Sequence, residues 1–126
     1  MDLNKKIKDK TAKIGVIGLG YVGLPLAVEF VKAGYDVTGI DVDDNKIKAI
    51  NSGKNYIDDV EDKILSRFVK ANKFRATNDF SVVKKMDSIS ICVPTPLNKQ
   101  KDPDISYIVS VMDEIKEYIH IDMAII

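Results

Sequence analysis

Residues 13–23 read Lys-Ile-Gly-Val-Ile-Gly-Leu-Gly-Tyr-Val-Gly, KIGVIGLGYVG in one-letter form. Residues 13–18 are short, β-branched and apolar on both faces, the pattern of a strand buried within a parallel sheet. From residue 22 to 33 apolar side chains recur at helical spacing, at Val22, Leu26, Phe30 and Ala33, and Gly34 supplies a C-terminal stop. Three glycines, Gly18, Gly20 and Gly23, fill the turn between strand and helix.

The same alternation continues outward from that unit. Residues 36–41 (DVTGID) predict a second strand and 43–51 a helix closed by Ser52-Gly53. Residues 58–72 form a longer amphipathic pattern with Val60, Ile64, Phe68 and Ala71 on one side. A short strand is predicted at 74–77, a weak helical turn at 80–85, and a fourth strand at 88–93 that Pro94 stops. After a loop over 94–103, residues 105–119 place Ile105, Ile108, Met112, Ile115 and Ile119 on one helical face. Residues 123–126 (MAII) begin a further strand, either an element cut from a longer protein or the last strand of a naturally short domain. Strand–helix alternation of this kind implies parallel strands, right-handed crossovers and helices on both faces. The expected fold is therefore α/β: a Rossmann-type doubly wound parallel sheet in three αβα layers, one domain over 13–126, preceded by a polar lead-in at 1–12.

Composition narrows the function. The 126 residues suffice for one core, and 45% hydrophobic with 30% charged residues is ordinary for a soluble domain. Nineteen basic and nineteen acidic residues cancel, leaving no long-range attraction for nucleic acid or an anionic membrane. Apolar runs such as 14–17 and 89–93 are too short to cross a bilayer. The lead-in holds Lys5, Lys6, Lys8 and Lys10 beside Asp2 and Asp9, with no apolar stretch of the signal-peptide kind and no arginine. It reads as a frayed or solvated arm. Cys92 is the single cysteine, which fits a reducing cytoplasm. No His/Cys/carboxylate cluster has metal-ligand spacing, so no metal is expected.

The turn carries the chemistry. A GxGxxG string gains meaning when it leaves a strand and opens a helix, as here. Gly18 permits the tight turn, Gly20 lets backbone approach a pyrophosphate, and Gly23 lets helix and strand pack closely. The helix start presents unpaired N–H groups and partial positive charge to an anion. No Gly-Lys-Ser/Thr follows, which argues against nucleotide hydrolysis. Asp41 lies at the second strand's end, about 20 residues on, where a carboxylate accepts hydrogen bonds from the adenosine ribose and repels a 2′-phosphate. NAD is thus the expected cofactor, with Gly18, Leu19, Gly20, Tyr21, Val22, Gly23 and Asp41 as its contacts. The bland alternative makes the glycines a mere turn and Asp41 the cap of the next helix. Lys46 either reaches the adenosine ribose or pyrophosphate or is a solvated helix charge. Tyr21 is better placed than Tyr107 to pack beside the cofactor.

Two passages resemble a known family: IGVIGLGYVGLPLAVEFVKAGYDVTGIDVD (14–43) and ICVPTPLNKQKDPDISYI (91–108). Both look like the amino-terminal domain of the UDP-glucose/GDP-mannose dehydrogenase family, and the likeness runs from Lys13 onward. The spacing from PTPL to PDISYI is most similar to the UDP-N-acetylglucosamine or UDP-N-acetylmannosamine 6-dehydrogenase branch. The resemblance implies that Val93, Pro94, Thr95 and Pro96, through Leu97, line the NAD; a rigid turn without ligand contact is the alternative, since two prolines fix φ.

It implies oxidation of a UDP-sugar C6 alcohol to a carboxylate in two NAD-dependent steps, by an enzyme that is homo-oligomeric when full length. The family's threonine, glutamate, lysine–asparagine and cysteine motifs do not occur here, so no catalytic residue is expected and the fragment alone should not turn over. Cys92, inside an apolar strand, reads as a packing group rather than the nucleophile. His120 reads as a helix-end or surface residue. A regulatory NAD sensor without chemistry, and a β-hydroxyacid dehydrogenase, are the competing readings; neither is expected to join GYVGLP to VPTP.

Overall fold

The computed structural model describes residues 3–54, 62–93, 105–120 and 123–126. Five strands form one parallel sheet: β1 (Lys13–Ile17), β2 (Asp36–Ile40), β3 (Phe74–Thr77), β4 (Ser88–Ile91) and β5 (Ala124–Ile125), in the order β3-β2-β1-β4-β5. The helices are α1 (Leu3–Asp9), α2 (Gly23–Lys32), α3 (Asp44–Asn51), α4 (Asp62–Lys70) and α5 (Ser106–Ile115), with a 3-10 helix over Phe80–Lys85. The predicted order of elements over 13–126 is present wherever the residues are described. The predicted loop over 94–103 and the start of the predicted 58–72 helix lie largely outside them.

The central strand β1 is apolar on both faces because each face meets a layer. Ile14 and Val16 of β1, Val37 of β2, and Phe74 and Ala76 of β3 pack with Leu24, Ala27, Val28 and Val31 of α2, Ile50 of α3 and Leu65 of α4. On the opposite face Ile17, Ile40 and Ile89 pack with Val83, Met86, Val111 and Ile115. Two cores, one on each side of the sheet, make the three layers. Beyond the second core, the strip over β2 and β3 is polar. There the Arg75 guanidinium spans Asp36 Oδ1 at 2.8 Å and Thr38 Oγ1 at 3.2 Å. The outer edge of β3 is closed by one side chain: Asn51 Nδ2 donates to the Ala76 carbonyl and Asn51 Oδ1 accepts the Ala76 N–H, both at 3.0 Å.

Three expectations change. In α2 the buried face is Leu24, Ala27, Val28 and Val31, not the series Val22, Leu26, Phe30 and Ala33; Val22 precedes the helix and is exposed. In α5 Val111 and Ile115 are buried while Ile105 and Ile119 stand exposed outside the helix. The lead-in is solvated but not frayed. Its residues 3–9 form α1, whose Lys6 Nζ meets Asp87 Oδ1 at 2.7 Å, while Tyr35 Oη donates to the Ile7 carbonyl at 2.9 Å. A seven-residue helix is unstable alone. Tertiary bonds at the amino-terminal edge of the sheet hold it.

Asp87 is the hub of that edge. Burial opposes its ionisation, but the Lys13 N–H at 2.8 Å, the Lys6 ammonium and the charge of His120 outweigh burial and hold its carboxyl below the ordinary value. His120, exposed beyond α5, donates from Nε2 to the Met86 carbonyl at 2.7 Å.

Candidate cofactor site

Strand register assembles the opposite edge. Ile17 pairs with Ile40 on one side and Ile91 on the other, so the residues that follow all three strands emerge together. Gly18 N–H donates to the Ile40 carbonyl at 2.8 Å, Cys92 N–H to Ile17 at 2.7 Å, and Asp41 N–H to Thr77 at 3.1 Å. The carboxyl ends of parallel strands are where open α/β sheets bind ligands.

Each glycine of the turn meets a different neighbour. Gly18 has φ +94°, in the left-handed region, and a Cβ there would lie 2.6 Å from the Cys92 carbonyl oxygen. A Cβ on Gly23 would overlap the Gly18 carbonyl, so α2 starts hard against the strand it left. A Cβ on Gly20 would meet nothing within 4 Å. Pro25 sits in the first turn of α2, where its missing N–H forfeits no helical bond.

Leu19 is the anchor of the turn. Its side chain is fully buried, in van der Waals reach of Gly39. Its N–H donates to Asp41 Oδ2 at 2.8 Å. Tyr21 and Val22 point outward, 81% and 69% exposed. Among the described residues the N–H groups of Gly20, Tyr21 and Val22 donate to no protein acceptor. Bare amides at a helix start are suited to a diphosphate.

Asp41 faces the turn. Oδ1 accepts the Asp43 N–H at 2.9 Å, and the cap of α3 is Asp43, whose Oδ1 accepts from Asn45 and Lys46. The alternative that made Asp41 the helix cap therefore fails. Lys46 lies half-buried in the first turn of α3. Val93 follows Cys92 beside Gly18, and its N would lie 3.2 Å from a Cβ on that glycine. Pro94, Thr95 and Pro96 lie outside the described residues.

Cys92 is half-buried against the first core, and burial pushes its thiol above the ordinary value, as suits a packing group. Among the described residues no group of three or more His, Cys, Asp or Glu side chains is arranged to hold a metal, and no helix is long and apolar enough to cross a membrane. Two clefts of about 760 and 670 Å3 lie elsewhere, beside α4 and over the polar strip at Arg75. Neither cleft is lined by residues of the glycine turn. The part Leu19 takes, plugging the sheet from above, has no local signal in the sequence, because its partners Gly39 and Asp41 are about twenty residues away.

A sheet whose strand tips converge on an unencumbered glycine turn is the mark of a dinucleotide-binding α/β domain. Within that class the chain belongs to the UDP-glucose/GDP-mannose dehydrogenase family: residues 12–126 match its NAD binding domain. UDP-N-acetyl-D-mannosamine dehydrogenase of Pyrococcus horikoshii is 42% identical over 97 residues, which cover 76% of this chain and 23% of that one. A ternary complex of GDP-mannose dehydrogenase from Pseudomonas aeruginosa superimposes with a TM-score of 0.75 at 39% identity, covering 81% of this chain and 24% of that one. NDP-N-acetyl-D-galactosaminuronic acid dehydrogenase from Methanosarcina mazei superimposes at 0.81 with 32% identity, covering 99% and 29%. The chain thus spans about a quarter of the length of such relatives.

Proposed function

We propose that the chain is the cofactor-holding part of a nucleotide-sugar 6-dehydrogenase, which oxidises the C6 alcohol of a UDP-sugar to a carboxylate in two NAD-dependent steps. The observation that carries this reading is the open volume at Gly20, flanked by the amides of Gly20, Tyr21 and Val22, which have no acceptor among the described residues, and by the Asp41 carboxylate. On this reading the amides receive the diphosphate, and the partial positive charge of the α2 start adds to their attraction. Asp41 takes the adenosine ribose hydroxyls, and its charge turns away a 2′-phosphate. Gly18 and Gly23 hold the turn in shape from below, and Leu19 anchors it. Lys46 borders the ribose, and Val93 with Pro94, Thr95 and Pro96 flanks the cofactor. NAD, when bound, supplies the hydride acceptor. This chain's own work is to bind and orient it.

The relatives act on different sugars by their names, so the sugar is set by parts of the enzyme other than this turn. The membership of the family favours the enzyme over a sensor domain. The reading also makes the whole enzyme a cytoplasmic homo-oligomer.

Calorimetric titration with NAD and NADP, together with an assay for NADH production from UDP-sugars, tests it. The expected result is NAD binding, NADP binding weaker by about tenfold or more, and no turnover by these 126 residues. Equal affinity for the two cofactors would overturn the role of Asp41. Robust NADH production would overturn the partial-enzyme reading.

A further inference from the structure

Asp41 makes two bonds that a ribose contact does not explain. Oδ2 accepts the N–H of Leu19, 22 residues away, and Oδ1 accepts the N–H of Asp43. One carboxylate thereby ties together the end of β2, the glycine turn and the residue that caps α3.

The bond to Leu19 falls where the turn is fastened. Below it the Leu19 side chain is buried against Gly39, whose Cβ, if present, would lie 2.8 Å from both Leu19 δ carbons. Beyond it Tyr21 and Val22 project outward and three successive amides have no protein acceptor among the described residues, while the Gly20 and Val22 carbonyls accept the N–H groups of Leu24 and Leu26, both at 3.1 Å. The Leu19 bond thus fixes the turn at its β1 end, as those two bonds fix it at its α2 end, and the three amides lie between the two fixings. A hydrogen bond to a charged acceptor is stronger and shorter than one between neutral groups, which suits a fixing point.

We propose that Asp41 is a positioning residue for the glycine turn as well as a ribose ligand: its carboxylate fixes the Leu19 peptide so that the amides of Gly20, Tyr21 and Val22 converge on the diphosphate. The inference rests on the NAD reading above. The two roles are compatible, because each carboxylate oxygen has a second lone pair after accepting one backbone N–H. They are also coupled. A substitution made at position 41 to admit a 2′-phosphate removes the tether of the turn, so cofactor preference cannot be exchanged there without loosening the diphosphate site.

The test uses NAD and an analogue whose adenosine ribose lacks both hydroxyls, titrated into wild type, Asp41→Ala and Asp41→Asn. If Asp41 acts only on the ribose, wild type and variants bind the dideoxy analogue equally. Positioning predicts that Asp41→Ala binds that analogue about tenfold more weakly. Asp41→Asn falls between, since its amide oxygen still accepts one backbone N–H. Amide hydrogen exchange at Leu19 in the ligand-free chain should quicken by about tenfold in Asp41→Ala, the corresponding loss of one charge-assisted bond. Melting by circular dichroism establishes which variants fold, and the near-isosteric Asp41→Asn carries the test if Asp41→Ala does not. Equal analogue affinity in wild type and a folded variant overturns the inference and leaves the NAD reading standing. Failure of wild type to bind NAD overturns that reading, and the inference with it.

Discussion

Alanine at Gly20 and alanine at Gly23 should separate cofactor binding from folding. The two residues are three apart in one turn, yet an added methyl meets opposite surroundings. At Gly20 it enters open space, and the backbone there is not left-handed. Folding should tolerate it, and reduced freedom of the unfolded chain offers a gain of about 0.4–1 kcal/mol. On the proposed reading the methyl occupies the volume the diphosphate enters, so it holds the anion off the amides of Tyr21 and Val22. Losing two charge-assisted bonds at about 1.5 kcal/mol each gives about 3 kcal/mol, or a little over a hundredfold in Kd. At Gly23 the methyl overlaps the Gly18 carbonyl, a backbone atom that cannot rotate away. Overpacking against fixed backbone costs about 3 kcal/mol or more, and a domain of this size should melt about 10 °C lower. Thermal melting and NAD calorimetry on both variants decide the matter. A Gly20→Ala chain that binds NAD like wild type, or melts several degrees lower, would refute the argument.

Acid should release α1 before the rest of the fold. Asp87 has a depressed folded value, so its contribution is fully present above the unfolded carboxylate value of about 3.9 and is lost as pH falls through the folded value. Asp87→Asn should remove about 1.5–3 kcal/mol at neutral pH and flatten the acid limb of a Tm-against-pH curve; an unchanged limb would show that the clasp is idle. Asn51→Ala should strip the Ala76 N–H and carbonyl of their partners and destabilise by about 1–3 kcal/mol, read by urea unfolding, with faster amide exchange at Ala76 as its signature.

What was legible in the sequence was local. The strand, the three glycines, the helix start and Asp41 lie within one stretch of chain, and each follows from the chemistry of its own neighbours. The buried face of α2 was not legible, because GLPLAVEFV is apolar almost all round and its period fits more than one face. The docking of α1 depends on Asp87 and Tyr35, which no spacing within residues 1–12 announces. Within the site, the glycines and Asp41 could be named from the motif, but the bond between Leu19 and Asp41 could not, since it appears only when β1 and β2 lie side by side.

The seating of Leu19 on Gly39 bears on how this sequence can drift. A larger residue in the middle of β2 evicts the leucine unless position 19 shrinks in the same lineage. Substitutions at these two sites should therefore travel as a pair, and a replacement deep in the sheet that looks innocuous on its own would be registered first at the glycine turn.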